Sequence, residues 1–511
     1  MGTRPSTQWP PGSRAAFSLL AVAVMMSQSA AAQIRVVSER GFDLSEAVDF
    51  ALQHHPALKA AEQQVAVQRA EGERADSIGD YAIDASATAT FRGPVTSISF
   101  PDAQNPGQTL KFQIGSPFTN SITLTVAKPL NLGNRRRASR DANDALVEAA
   151  EQDVRAARLG IMLGVKQAFC NVLRAEHMRL ISIDAVDRAA THLRITEAKY
   201  SNGTAAQYDV DRATADVAAA RAQLSTAEGG VRSALAMLAR AMGLDPAERV
   251  QLRSDLLPDF FAVDEPAARA SAEGRPEIAR MEKQIASLEL NAKLINLQDH
   301  PVISAFANTG YSIGQGFTEG INYSVGIQAT WSIDNGGDDE AQIHKLREQE
   351  TALRLSIDDK KQETATNIRT ALEALATARA SIENAAQAVI QARQARDRVQ
   401  LAYENDVGAW IDLRDTQSAL TASEQSFVTT LFEYRLARAD LEYAIGVTTL
   451  GDLARPDPNG PPAIPEMAGI GSPIDAPPIP EAVGTPGEPV VPSDSNAGDS
   501  GATTQNGGTQ R

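Results

Sequence analysis

The sequence predicts an α+β membrane protein: long, coiled-coil-like helices joined to amphipathic strands of a β-barrel that several chains must close. Three observations predict it. Two stretches, 130–245 and 302–455, contain no proline and are rich in helix formers. Short segments alternate apolar and hydroxylated residues with period two. The two halves of the chain also align at a constant shift of 203 residues, so one unit of structure occurs twice.

At the N-terminus, Arg4 and Arg14 are the only charges in the first 32 residues, and Ala15 to Met26 is apolar except for Ser18. Ala30-Ala31-Ala32 supplies the small residues a signal peptidase needs. Residues 1–32 therefore read as a secretory signal peptide, too short to span a bilayer, with a mature chain from about Gln33. No cysteine sits near the cleavage point, so a lipoprotein anchor is not expected. No later stretch offers the ~18 consecutive apolar residues of a membrane helix. The mature chain is expected to be periplasmic, secreted or a β-barrel.

Residues 33–243 form the expected first repeat, 244–274 a linker, and 275–454 the second repeat. Each opens with a helix: His55-Pro56-Ala57-Leu58 corresponds to Arg275-Pro276-Glu277-Ile278. Strands follow. Ile83, Ala85, Ala87, Ala89 and Phe91 alternate with Asp84, Ser86, Thr88, Thr90 and Arg92. Ile122, Leu124 and Val126 alternate with Ser121, Thr123 and Thr125. In the second repeat, Ile303, Ala305, Ala307 and Tyr311 make a weaker case, and Tyr323, Val325, Ile327, Ala329, Trp331 and Ile333 a strong one. One apolar face and one face of small hydroxylated residues suit lipid outside and a water-filled lumen inside. Four strands cannot close a barrel, which needs about eight or more.

The long helices come next. Asp338 to Val407 contains neither proline nor glycine, and as a helix would reach ~105 Å. Its apolar stripe is Ile382, Ala385, Val389, Ala392, Val399 and Tyr403, interrupted by Arg396. An Ala-rich stripe suits close helix packing. Each long helix turns, at Tyr200–Thr204 and at Tyr403–Gly408, and a second helix returns to about Met242 and Ile445. Gly133 aligns with Gly336, Tyr200 with Tyr403, and Asp209 with Asp412. From Arg455 onward, Pro, Gly, Ser and acidic residues dominate, so 455–511 reads as a disordered acidic tail.

The rest of the composition excludes other classes. Net charge is −16, two units more negative without Arg4 and Arg14, whereas a nucleic-acid binder would be basic. The single cysteine, Cys170, permits no intrachain disulfide and reads as a small helix-packing residue. Among six histidines only His54 and His55 lie close, so no metal or cofactor is expected. No nucleophile–base constellation suggests an enzyme. The glycine-rich segment 314–320 joins two strands rather than opening a helix, which argues against a phosphate loop. Arg135-Arg136-Arg137 reads either as a lipid-phosphate contact or as a solvated helix start.

Together the leader, the duplicated strand–strand–hairpin unit and the turns with Tyr200, Gly203 and Asp209 resemble the TolC family of outer-membrane efflux proteins. His55-Pro56-Ala57-Leu58 is similar to that family's helix opening, and Lys128-Pro129-Leu130-Asn131-Leu132-Gly133 to its strand-to-helix junction. The resemblance covers about Leu44 to Leu450. It implies a homotrimer with a 12-stranded barrel in the outer membrane, four strands per chain, continued by a periplasmic α-helical barrel. A periplasmic adaptor and an inner-membrane pump would be its partners, in tripartite efflux or type I secretion. A periplasmic coiled-coil adaptor or scaffold is the alternative, though it would carry one hairpin rather than two.

The resemblance also places candidate residues. The periplasmic constriction falls on Asp412 and Asp415, i,i+3 on one helix face, with Asp209 as first-repeat counterpart. Three copies would bring six carboxylates to one axis and attract multivalent cations. The other reading is a pair of solvated acids near a helix start. Arg212, aligned with Asp415, is a candidate ion-pair partner that would hold the tip closed. The tip turns and adaptor contact fall on Tyr200, Gly203, Tyr403, Asp406, Gly408 and Trp410, with Trp410 either packing between hairpins or touching the adaptor. Asp406 replaces a family glycine and Gly408 a family arginine, so the family's lock does not transfer. Phe91, Tyr311, Tyr323 and Trp331 are candidates for an aromatic girdle against outer-membrane lipid.

Overall fold

The computed structural model describes residues 41–457 with 460 and 465, apart from 103, 114–115, 247, 249, 254–257, 315–319, 334 and 406. The expected leader, most of the expected tail, Asp406 and the centre of the glycine-rich segment lie outside the described residues. So does the second of two units, Ala476–Arg511; everything below belongs to the first.

Asp43 and Glu46 form a reciprocal cap (2.8 and 3.1 Å) that starts α1 (Leu44–His54). Pro56 cannot continue that helix, so a new one, α2 (Pro56–Asp76), begins there with the His55 ring accepting the Ala57 N–H at 3.1 Å. Strand β1 (Ala82–Phe91), a short ribbon of β2 (Ser97–Pro101) and β3 (Thr109–Gln113), and β4 (Phe118–Pro129) follow. The first hairpin is α3 (Gly133–Ser201) and α4 (Gln207–Met242). A connecting region carries β5 (Phe261–Val263) and α5 (Glu265–Ala272). The second half repeats the plan with α6 (Pro276–Asn296), β6 (Val302–Ile313), β7 (Gly320–Thr330), α7 (Asp338–Glu404) and α8 (Trp410–Ile445). Strand β8 (Ala454–Pro456) closes the described chain. Among the described residues no helix is long and apolar enough to cross a membrane.

The four long strands form one antiparallel sheet in the order β1-β4-β6-β7. The β4–β6 pairing joins the two repeats, and β1 and β7 are the edges. Arg135 fixes the junction of sheet and helices. Its guanidinium donates to the carbonyls of Leu297, Gln298 and His300 at 2.8–2.9 Å, closing the end of α6, which is neither of the two roles expected from sequence.

At 69 and 67 residues, α3 and α7 are ~100 Å long. On α7, Ile368, Leu375, Ile382 and Val389 recur every seven residues and are buried, with Ala371, Ala378 and Ala385 between them. A strict seven-residue repeat with small residues at alternate positions gives a close, left-handed helix pair. Of the expected stripe, Ile382, Ala385, Val389 and Tyr403 are buried, and Ala392, Arg396 and Val399 half-buried. The core sits where the hairpins meet the opening helices: Phe169, Leu173, Leu238, Phe427, Leu431 and Tyr434 are fully buried.

Both repeats close on themselves. Gly243 (φ +79°) ends α4 against His55, and Gly446 (φ +85°), 203 residues later, ends α8 against Arg275. Arg275 also donates to the Tyr443 and Ala444 carbonyls (3.1 and 2.7 Å), capping α8 with the residue that opens α6. The ordered chain runs past residue 454. β8 pairs with β5, and Arg379 binds Asp457 at 2.6 Å and the Gly460 carbonyl at 2.7 Å, so Arg455 to Asp457, which the composition assigns to the tail, belong to this belt.

Candidate functional site

The sheet has two chemically distinct faces. The register aligns Ile83 with Val126, Ile122 with Tyr311, and Ala307 with Val325, so the apolar sets of all four strands fall on one face. Large members of that set stand open in the single chain: Tyr323 is 83% and Ile327 73% exposed. A contiguous apolar face of this extent requires a cover of lipid or protein. On the other face Ser86, Thr88, Ser121 and Thr123 adjoin, with the Thr88 and Ser121 hydroxyls 2.7 Å apart. Phe306 departs from this pattern and lies over Gly326, where a Cβ would fall 2.9 Å from its ring. The 12 residues of β4 and of β6, tilted ~40°, rise ~30 Å, enough for the hydrocarbon layer.

The four expected girdle residues are all exposed. Phe91 ends β1, opposite Phe118; Tyr311 and Tyr323 lie on the apolar face; Trp331 follows β7 and donates to the Asp299 carbonyl at 2.8 Å.

At the far end of the hairpins the two turns differ. Gly203 (φ +74°) makes the first turn, its N–H donating to the Tyr200 carbonyl at 2.9 Å. Tyr200 is exposed beside it. In the second turn the N–H groups of Val407 and Gly408 both donate to the Ala402 carbonyl (2.9 and 3.1 Å). A Cβ on Gly408 would approach the Tyr403 nitrogen to 3.0 Å, which explains why no larger residue stands there. Asp209 accepts the Ala206 N–H at 3.2 Å and so caps α4. Asp412 and Asp415 are exposed on α8, and Asp415 lies 3.8 Å from Arg414.

Within one chain Arg212 lies on Trp410 rather than beside Asp415. Its guanidinium carbon is 4.8 Å from the ring centroid, and that of Arg414 is 5.6 Å away. Trp410 also neighbours His192 of α3 (6.2 Å), whose ring is 5.4 Å from Tyr403 of α7. Lys199 sits 4.1 Å above the Tyr403 ring and donates to its carbonyl at 2.6 Å, and the Thr196 and Tyr403 hydroxyls lie 3.4 Å apart. All four hairpin helices meet in this cluster. Burial pushes the His192 imidazole below its ordinary value, opposed by the Asp216 carboxylate and reinforced by Lys199. Sequence reasoning found Arg212, Tyr403 and Trp410 but missed His192, Thr196 and Lys199. Their i, i+4, i+7 spacing on one face of α3 is the signal that could have found them.

A sheet apolar on one side and hydroxylated on the other, carried on paired helical hairpins, is the architecture of an outer-membrane channel subunit. The chain belongs to the outer membrane efflux protein family, whose profile matches residues 47–244 and 268–447. Over 210 residues it is 27% identical to the pyoverdine export outer membrane protein OpmQ of Pseudomonas aeruginosa, a match covering 40% of this chain and 44% of that protein's length. The outer membrane protein VceC of Vibrio cholerae superimposes with TM-score 0.62 at 18% identity, over 79% of this chain and 96% of that one. The Campylobacter jejuni CmeC outer membrane channel gives TM-score 0.63 at 18% identity, over 79% and 85%. These likenesses show a common fold.

Proposed function

We infer that this chain is one third of an export duct. β1 of one copy pairs with β7 of the next, so three copies close a 12-stranded barrel in the outer membrane. The twelve long helices, ~50–100 Å each, continue it through the periplasm. The barrel carries the apolar face outward to lipid and the hydroxylated face inward to water. Transport through such a duct is passive, with a periplasmic adaptor and an inner-membrane pump supplying cargo and energy in a tripartite efflux or type I secretion system. The observation that carries this reading is the continuous four-stranded sheet with two unpaired edges and two opposite faces. The likeness to a pyoverdine export protein supports an exporter. Asp412 and Asp415 line the periplasmic constriction, and the Arg212–Trp410 contact holds the two hairpin tips of one chain together.

Membrane fractionation and planar-bilayer recording of the full mature protein test it. The expected result is protein in the outer-membrane fraction that gives small, cation-selective openings. Protein soluble without detergent and silent in bilayers would instead make the chain a periplasmic scaffold.

A further inference from the structure

The two hairpins of the chain meet along α3 and α8, with α4 and α7 as the outer helices. The α3–α8 seam is closely specified. The Lys166 ammonium donates to the Thr448 carbonyl at 2.9 Å, and the Gln167 amide to Asp440 at 3.0 Å. Arg435 hydrogen-bonds the Cys170 thiol. The Arg174 guanidinium carbon lies 4.6 Å from the Phe432 ring centroid, and Arg188 donates to the Thr421 hydroxyl at 3.0 Å. The two hairpins align at the 203-residue shift without a gap, from Gly133 with Gly336 to Gly243 with Gly446. α7 is therefore the counterpart of α3, and α4 the counterpart of α8. In a closed ring the outer α7 of one copy meets the outer α4 of the next, so the α3–α8 seam is a template for the contact between copies.

Shifting each contact by 203 residues gives the pairs that face each other across copies. Cys170 with Arg435 becomes Glu373 with Arg232, an acid against a base. Lys166 with Thr448 becomes Arg369 with Asp245, again of opposite charge. Gln167 with Asp440 becomes Thr370 with Met237, Arg174 with Phe432 becomes Thr377 with Gly229, and Arg188 with Thr421 becomes Gln391 with Ala218. One contact does not repeat, because Ala239 stands where Glu442, the second partner of Lys166, would be required. In the single chain every one of these α7 and α4 positions is exposed apart from half-buried Gly229, and Ala239, which is buried in its own core. Among the described residues neither Glu373 nor Arg232 has an ion-pair partner. Around Arg232 runs a stripe of small residues, Ala218, Ala222, Ser225, Gly229 and Ala236, spaced four and three in alternation. It lies ~140° around α4 from the stripe of Val217, Val231 and Leu238 buried in the same chain, and it admits a second helix at close range.

We propose that α7 of one copy packs on α4 of the next in the register that α3 and α8 keep within the chain, and that Glu373 pairs with Arg232 of the neighbouring copy as a charged clasp. This rests on the trimeric reading. What the clasp adds is selection of register. A slip of one turn in one direction sets Glu373 against Glu228 and Arg232 against Arg369, like charge to like at both places. A slip in the other direction sets Glu373 against Ala236 and Arg232 against Thr377, leaving both charges shut between helices without a partner.

The test uses the full mature protein in detergent, with native mass spectrometry scoring the trimer as temperature rises. Both residues are exposed in the single chain, so reversing them leaves its core untouched. Glu373→Arg and Arg232→Glu each put like charges across every seam and are expected to lower the temperature at which the trimer dissociates. The two together restore opposite charges and are expected to recover most of that loss. A second measurement uses Thr370→Cys with Met237→Cys in a Cys170→Ala background. These sites lie on opposite flanks of one chain, so mild oxidation is expected to link neighbouring copies into covalent dimers and trimers. Single reversals as stable as the wild type, a double reversal no more stable than the worse single one, or a trimer whose cysteine pair does not link would overturn the clasp and leave the duct in place. Absence of a trimer in the unaltered protein would remove the reading beneath it.

Discussion

His192 gives the hairpin tip a sensitivity to pH. Its ring is 6% exposed, is held between Tyr403 and Trp410, and has no hydrogen-bond partner on either nitrogen. The packed tip therefore favours neutral imidazole, burial outweighing the opposing Asp216. A released tip hydrates the ring and takes up a proton near the ordinary value of 6.5. The sign follows: the contribution of His192 is complete above about pH 6.5 and is lost as pH falls through the lower value of the packed state. Amide exchange at 199–206, corrected for intrinsic chemistry, is expected to accelerate as pH falls below about 6.5. His192→Phe should flatten that profile; a profile unchanged in the variant would take His192 out of the account. The duplication that exposed Tyr403 and Asp412 also concealed this residue. Positions 203 further on from His192, Thr196 and Lys199 hold Ala395, Val399 and Ala402, so these three residues have no counterpart in the second repeat.

Elements end where backbone geometry leaves no alternative, and the two glycine caps show how much that geometry costs to alter. Gly203 and Gly243 are both left-handed, at φ +74° and +79°. A side chain at Gly203 meets open space, whereas at Gly243 it would fall 2.9 Å from the His55 Cα and 3.0 Å from the Pro56 Cδ. Gly203→Ala should cost about 1 kcal/mol of conformational strain. Gly243→Ala should add overpacking to that, for a total of about 2–4 kcal/mol. Guanidinium unfolding followed by circular dichroism compares them; equal losses would mean that the joint between α4 and α2 relaxes freely. Such closures were only half legible in the sequence. The 203-residue shift pairs Gly243 with Gly446, but that Gly243 packs on His55 and Pro56, and Gly446 on Arg275, is a contact across nearly the whole repeat, which no local pattern reports. β1 and β7 were legible because ten or more residues of period two outlast chance, whereas β4 showed the pattern over six residues and β6 more weakly. β2 and β3, five residues each and beside Pro94, Pro101 and Pro106, were too short and too interrupted to register.

For the molecule as a whole, sequence and structure meet at the sheet edges. Period two announces a barrel wall, but the number of chains that close it came from the family resemblance, since nothing local encodes a symmetry. The same holds for the constriction proposed above, since a single chain presents Asp412 and Asp415 to solvent and only assembly can bring copies together. Their local surroundings leave them free for that role. Arg414 is 3.8 Å from Asp415 in a pair whose acid is 65% exposed, a contact worth little against water and salt. Asp209 differs because its carboxylate is engaged with the Ala206 N–H. Six converging carboxylates should bind a multivalent cation far more tightly than isolated acids, because the separate attractions add in a narrow, poorly hydrated passage. In planar bilayers, hexaamminecobalt added from the periplasmic side is expected to block the wild-type duct. Asp412→Asn with Asp415→Asn should raise the half-blocking concentration about tenfold or more, the equivalent of about 1.4 kcal/mol. Asp209→Asn should leave the block where it was, since that acid serves the helix start. Equal block in all three proteins would move the constriction off α8, whereas loss of block on Asp209→Asn alone would place it at the first-repeat turn.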